Sequence, residues 1–353
     1  MRLEQASARR DENNFNLVRF VAAAAVLVSH AWPLSLGSGA EEPLKRLAGQ
    51  SLGGMAVLVF FAISGYLITA SFLRSRSLGD FLMARVLRLF PGLIVSVVLV
   101  TLVMGSAVTT LPLPGYLFSP ATWAAILRNI TLVSPQYTLP GVFETNPYPM
   151  VQGSIWTLIH EVLCYGLVFL AGVAGILGRR RVMMVMMLAW LLLWALNVAG
   201  LLPVPGRLAQ TLRLSIPFVI GMAFWIWRDR LVLSLPLALA LAVLAGLTRG
   251  TVVGFPALAL AITYGTFWCA YMPKGAIRAF NRLGDYSYGI YIYAFPIQGL
   301  VVWLAGPMGP WTNIALAFPL TLLCAVLSWH LVEQPALSLR RGTLRAAPLP
   351  QPG

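Results

Sequence analysis

The chain has 353 residues, 59% of them hydrophobic and only 10% charged, with a mean hydropathy of +0.80. Too little polar surface remains to cover a water-soluble globule, so the expected fold is an all-α, polytopic transmembrane helical bundle. The net charge of +14 falls on the connections between apolar runs, which marks it as topology and anionic-lipid contact and not as a nucleic-acid footprint.

In chain order, hydropathy predicts about ten spans, near 15–36, 52–72, 88–110, 154–177, 182–202, 210–228, 231–247, 251–272, 286–306 and 311–333. The N-terminus has basic residues ahead of an apolar run, as a signal peptide does. The run is too long for one, however, and acidic Asp11 and Glu12 precede it, so it reads as an uncleaved first helix. Lys and Arg alternate in density from loop to loop. One set of connections holds 18 basic residues and the opposite set holds six (Lys45, Arg46, Arg128, Arg207, Arg213 and Arg249). The alternation predicts that both termini are cytoplasmic. Residues 1–345 read as a single integral-membrane domain, followed by a disordered tail at 346–353. Cys164, Cys269 and Cys324 all lie in apolar runs and read as small core residues.

The first span carries two residues foreign to lipid, Arg19 and His30. Eleven positions amount to three turns plus roughly 20°, which places both on one helical face about 16 Å apart along the axis. Arg19 alone reads equally well as a side chain snorkelling to the interface, but the shared face favours function. The second span reads LVFFAISGYLIT, in which Ser64-Gly65 permits close helix approach. Arg85 and Arg88 then share a face at the expected cytoplasmic boundary of the third span. They fit either positive-inside anchoring or bidentate phosphate binding.

The long outer loop 111–153 carries seven prolines, the aromatics Tyr116, Phe118, Trp123, Tyr137, Phe143 and Tyr148, and one amphipathic helix around Ala121–Val133. A loop of that length is functional or disordered, and its aromatics suit acceptor stacking or an interfacial belt. The next span opens SIWTLIHEVLCY. Glu161 needs a partner at that depth, and a carboxylate that orients an imidazole would make His30 a competent general base. His160 reads as structural. His330 and Glu333, near the inner end of the last span, read as paired with each other or with basic loops. No metal-ligand spacing, P-loop or GxGxxG occurs, so no bound metal or cofactor is expected.

Taken together these stretches resemble the membrane-bound acyltransferase family 3, bacterial enzymes that O-acylate sugars and other hydroxyl-bearing acceptors. The resemblance spans essentially the whole chain. It rests on Arg19-x10-His30, the FFxxSGYL-like Phe60–Leu67, and the RxxRxxP-like Arg85, Arg88 and Pro91. It rests also on the W-x4-E-x3-Y-like Trp156, Glu161 and Tyr165, the GxxSYxxY-like Gly284, Ser287, Tyr288 and Tyr291, and the E-x-P of Glu333 and Pro335. Two departures stand out: His160 directly precedes Glu161, and Tyr293-Ala294-Phe295-Pro296 lacks the family's usual His.

The resemblance implies transfer of an acyl group, usually acetyl, from cytoplasmic acyl-CoA to an acceptor at the outer face of a bacterial inner membrane. In that reading Arg19, Arg85 and Arg88 bind the donor and His30 with Glu161 is catalytic. Ser64, Trp156, Tyr165 and Tyr288 contact the acceptor or the developing oxyanion. Direct transfer and an acyl-histidine intermediate both fit. A secondary transporter or flippase is the competing class, although neither an internal repeat nor paired broken helices are visible.

Overall fold

The computed structural model describes residues 1–8 and 12–346. Among them the regular elements are all helices, with two isolated bridges, Arg2 with Val232 and Thr109 with Val142. Eight helices are long and apolar enough to span a bilayer: Phe15–Leu36, Leu52–Arg74, Leu78–Val108, Gly153–Val173, Arg180–Val198, Gly206–Ile226, Ser287–Ala305 and Pro310–Arg340. Gly254–Tyr271 meets Gly275–Arg282 at a 92° bend, a broken span that would be the ninth or a re-entrant loop. The expected span at 231–247 is a 13-residue helix, Leu235–Leu247. It is short for a physical reason. Leu231–Leu233 is extended and bonded to the N-terminus, with Leu3 N donating to Leu231 O at 2.8 Å and Leu233 N to Met1 O at 2.9 Å. Pro236 then opens the helix.

The third span starts ten residues earlier than hydropathy indicates. Ser77 caps it, its Oγ accepting from Asp80 N at 3.1 Å, and Asp80 in turn receives two hydrogen bonds from Arg340 at 2.8 and 3.1 Å. Arg85 and Arg88 therefore sit in the second and third turns of a helix. Most of tail 346–353 lies outside the described residues; Ala346 still ends a helix, Gln334–Ala346.

The chain forms two compact units, each built from three stretches. The first comprises Met1–Ala22, Gly54–Ser75 and Thr157–Gly284. Its helices Leu52–Arg74 and Gly206–Ile226 touch backbone to backbone: a Cβ on Gly65 would overlap the Phe218 carbonyl, and one on Gly221 would overlap the Ala62 carbonyl. The approach expected of Ser64-Gly65 is thus present, with Gly221 as its counterpart. Phe15, Tyr66, Phe267 and Tyr271 stack nearby with ring centroids 4.7–6.4 Å apart. Asn14 donates to the carbonyls of Cys269 and Pro273 at 3.1 and 3.0 Å.

The second unit comprises Ala23–Gly53, Arg76–Trp156 and the chain from Asp285 onward. Here the long loop is a folded cap. Its helix Pro120–Thr131, close to the expected one, starts at Ser119 and stops at Leu132 with φ 59°. Tyr116, Leu139, Val142, Phe143 and Val151 pack with Val100 and Val108 into a core. Tyr116 donates to Thr101 O at 2.7 Å, within the π-helical turn Leu99–Met104, and Asn146 donates to Gly299 O at 2.9 Å. Of the loop aromatics, Tyr116 and Phe143 belong to this core whereas Phe118 and Trp123 are exposed. Of the cysteines, only Cys164 is buried; Cys324 is half-buried and Cys269 exposed.

Candidate active site

His30 lies on the penultimate turn of an uninterrupted Phe15–Leu36 helix, so the phase relating it to Arg19 holds. Arg19 itself is partly buried on the second turn. The imidazole packs edge-on against Phe295 with centroids 5.1 Å apart, and Tyr148 of the cap meets the same ring at 6.3 Å. The backbone of Gly153 presses on that ring as well, since a Cβ there would overlap Phe295. Tyr291 donates to Ser154 O at 2.9 Å. The helix carrying His30 is tied in place one turn earlier, where Gln298 Nε2 donates to Leu27 O at 3.0 Å and to Asn313 Oδ1 at 2.9 Å. Nδ1 of His30 is buried and has no hydrogen-bond partner among the described residues. Such a nitrogen can accept a proton from a bound group.

In the first unit Glu161 gathers two residues of the sequence motifs. Its Oε1 accepts from Ser64 Oγ at 2.9 Å and from Tyr165 OH at 2.6 Å. This supplies the partner that a carboxylate at such depth requires. His160 is buried and bonds through Nδ1 to Thr211 Oγ1 at 2.7 Å, in keeping with a structural role.

In the second unit three distant motifs converge on Arg88. Its guanidinium donates to Asp285 Oδ2 at 2.7 Å and lies 3.9 Å from Glu333 Oε2. Ser287 donates to Asp285, and Ser328 donates to Glu333 at 2.9 Å. Tyr288 bonds to Leu89 O at 2.7 Å, and its ring lies over Gly92, where a Cβ would come within 2.8 Å of it. Arg88 is thus engaged by two carboxylates, while Arg85 has its guanidinium over the Phe81 ring at 5.8 Å. His330 meets Tyr286 OH at 3.3 Å instead of Glu333. Trp156 opens the Trp156–Val173 helix directly after the Gly153–Ile155 turn. Sequence reasoning passed over Asp285 and Gln298. The signal for Asp285 was present, because a chain with 11 acidic residues places few of them beside apolar runs without a partner.

Among the described residues no three His, Cys, Asp or Glu side chains cluster as a metal site. The family profile for an acyltransferase domain matches residues 12–330. Over 345 residues the chain is 30% identical to an O-acetyl transferase of Shigella phage Sf6, covering 91% of this chain and 95% of that protein. It is 28% identical over 366 residues to nodulation protein 10 of Rhizobium leguminosarum bv. viciae, covering 96% of each. No solved structure matches. With its apolar helices, its Arg-x10-His span and a family match across nine-tenths of its length, the chain belongs to the acyltransferase 3 family and is a membrane-bound O-acyltransferase.

Proposed function

We propose that this enzyme moves an acetyl group from cytoplasmic acyl-CoA to a hydroxyl of a saccharide or related acceptor at the outer face of a bacterial cytoplasmic membrane. The observation that carries the reading is His30, on the helix that also bears Arg19: its imidazole, partnerless at Nδ1, packs against Phe295, the ring that cap residue Tyr148 also meets. As general base, His30 takes the acceptor hydroxyl's proton as the oxygen attacks the thioester carbonyl. The carbon–sulfur bond then breaks and the proton passes to the departing thiolate. Arg85, with Arg19, holds the donor's phosphates as guanidinium forks. Arg88 positions the helix that carries Arg85, and Tyr288 pins it at Leu89. Glu161 acts through Ser64 and Tyr165, the two hydroxyls it fixes, and these with Trp156 contact the acceptor. Basic-residue bias supports cytoplasmic termini. The O-acetyl transferase relative supports acetyl as the group transferred.

The test is His30→Ala in detergent-purified enzyme. Transfer should fall by about 10²–10⁴-fold while the protein stays monodisperse. Turnover near the wild-type rate would remove His30 from the mechanism.

A further inference from the structure

Around the ring of Phe295 the second unit buries more polar atoms than it satisfies. His30 Nδ1 is one. Gln152 Nε2 and Ser154 Oγ are two others, neither with a hydrogen-bond partner among the described residues, on side chains only 4% and 1% exposed. The three are brought together by one aromatic side chain. Phe295 meets the imidazole edge-on at 5.1 Å, and the backbone of Gly153, between Gln152 and Ser154, abuts the outer atoms of the same ring. The segment is not slack. Gln152 N donates to Tyr137 O at 3.2 Å, Val151 N to the same oxygen at 2.7 Å, and Ser154 O accepts from Tyr291 at 2.9 Å. A buried amide N–H or hydroxyl left unpaired costs roughly 1–3 kcal/mol. Two in three residues beside a partnerless imidazole mark a place built to receive a polar ligand group.

We propose that Gln152 and Ser154 line the group-transfer site beside His30, with Gln152 Nε2 donating to the carbonyl oxygen of the acyl group. This rests on the reading of His30 as general base. As the acceptor oxygen bonds to the carbonyl carbon, the C=O π pair moves onto oxygen and His30 holds the acceptor's proton. Gln152 stabilises the resulting oxyanion. When the pair returns, the carbon–sulfur bond breaks and the thiolate recovers the proton from His30. The donor is an acyl thioester and nothing is oxidised or reduced. Ser154 Oγ, a neighbouring hydroxyl, accepts from or donates to the acceptor's own hydroxyls.

A single preorganised oxyanion donor is worth about 10²–10³-fold in rate. Gln152→Met, similar in shape without the donor, should therefore lower kcat about 100-fold while the donor KM changes less than about threefold. Ser154→Ala should act mainly on the acceptor KM. Gln152→Glu supplies a readout that a packing role would not move. Its rate relative to wild type should rise as pH falls from about 8 to 5, because only the protonated carboxyl can donate. A pH-independent ratio, or full activity in Gln152→Met while His30→Ala is inactive, would overturn this inference and leave the His30 reading intact. Full activity in both Gln152→Met and His30→Ala would overturn the reading of His30 itself.

Discussion

Arg85 and Arg88 stand one turn apart on the same helix, yet their surroundings separate them. Arg88 is flanked by Asp285 and Glu333, whose side chains are only 8% and 2% exposed. Removing its charge leaves two buried carboxylates facing each other. Arg88→Met is therefore expected to destabilise the protein by about 3–5 kcal/mol, read as a marked fall in Tm in detergent, and Arg88→Lys should recover part of it. Arg85 lies with its guanidinium over the Phe81 ring at 5.8 Å. Arg85→Gln should weaken acyl-CoA binding about tenfold, with Lys restoring only part because an ammonium cannot form the bidentate fork. If Arg85→Gln and wild type bound acyl-CoA equally, Arg85 would be a topological anchor only. From sequence the two arginines were indistinguishable. Arg88 meets Asp285, nearly two hundred positions away, and no local pattern announces that meeting.

Elements were legible wherever local chemistry decides them and obscure wherever a tertiary partner does. The spans near Phe15–Leu36, Leu52–Arg74 and Ser287–Ala305 follow from hydropathy because long apolar runs have no alternative in lipid. The early start at Leu78 and the late start at Leu235 do not, because each depends on a distant stretch, Arg340 in one case and Met1–Leu3 in the other. Gly65 was legible as a contact, but its counterpart Gly221 was not. Because a Cβ at Gly65 would overlap backbone that cannot swing away, Gly65→Ala should force the two helices apart at about 1–3 kcal/mol. It should also reduce transfer by disturbing Ser64 and its bond to Glu161, whereas Gly166→Ala, with open space around it, should be silent in both assays. The cap has its own signature. Burial pushes the Tyr116 phenol up to about 12 from an ordinary value of 10.0. The folded cap therefore favours the protonated phenol, and its stabilisation, complete below pH 10, is lost as pH climbs toward 12. Absorbance of tyrosinate should show a late-titrating component that shrinks by one phenol in Tyr116→Phe. That variant should also loosen the cap by about 1 kcal/mol through loss of the bond to Thr101.

At the scale of the whole molecule, chain connectivity constrains how often the membrane is crossed. Asp80 stands in the first turn of the third span and Arg340 ends the last, and their hydrogen bonds of 2.8 and 3.1 Å put both at the same end. From Asp80 to Arg340 the chain runs through six helices long and apolar enough to cross a membrane, namely Leu78–Val108, Gly153–Val173, Arg180–Val198, Gly206–Ile226, Ser287–Ala305 and Pro310–Arg340. These make an even number. If each of these crosses once, Leu235–Leu247 and Gly254–Tyr271 either both cross or both stay on one side, which gives ten crossings or eight. The short helix covers only about 20 Å at 1.5 Å per residue. The extended Leu231–Leu233 adds about 10 Å, and its backbone is partly satisfied by Met1 and Leu3, as passage into a bilayer demands. The sum matches a hydrocarbon core of about 30 Å, which favours ten. Arg230 and Arg249 should then lie on opposite faces. With the three native cysteines replaced, a cysteine at position 230 should react with a membrane-impermeant maleimide only from the cytoplasmic side. One at 249 should react only from the outside, and one at 274 again from the cytoplasm. Labelling of all three from one face would establish eight crossings and a hairpin that never traverses the membrane.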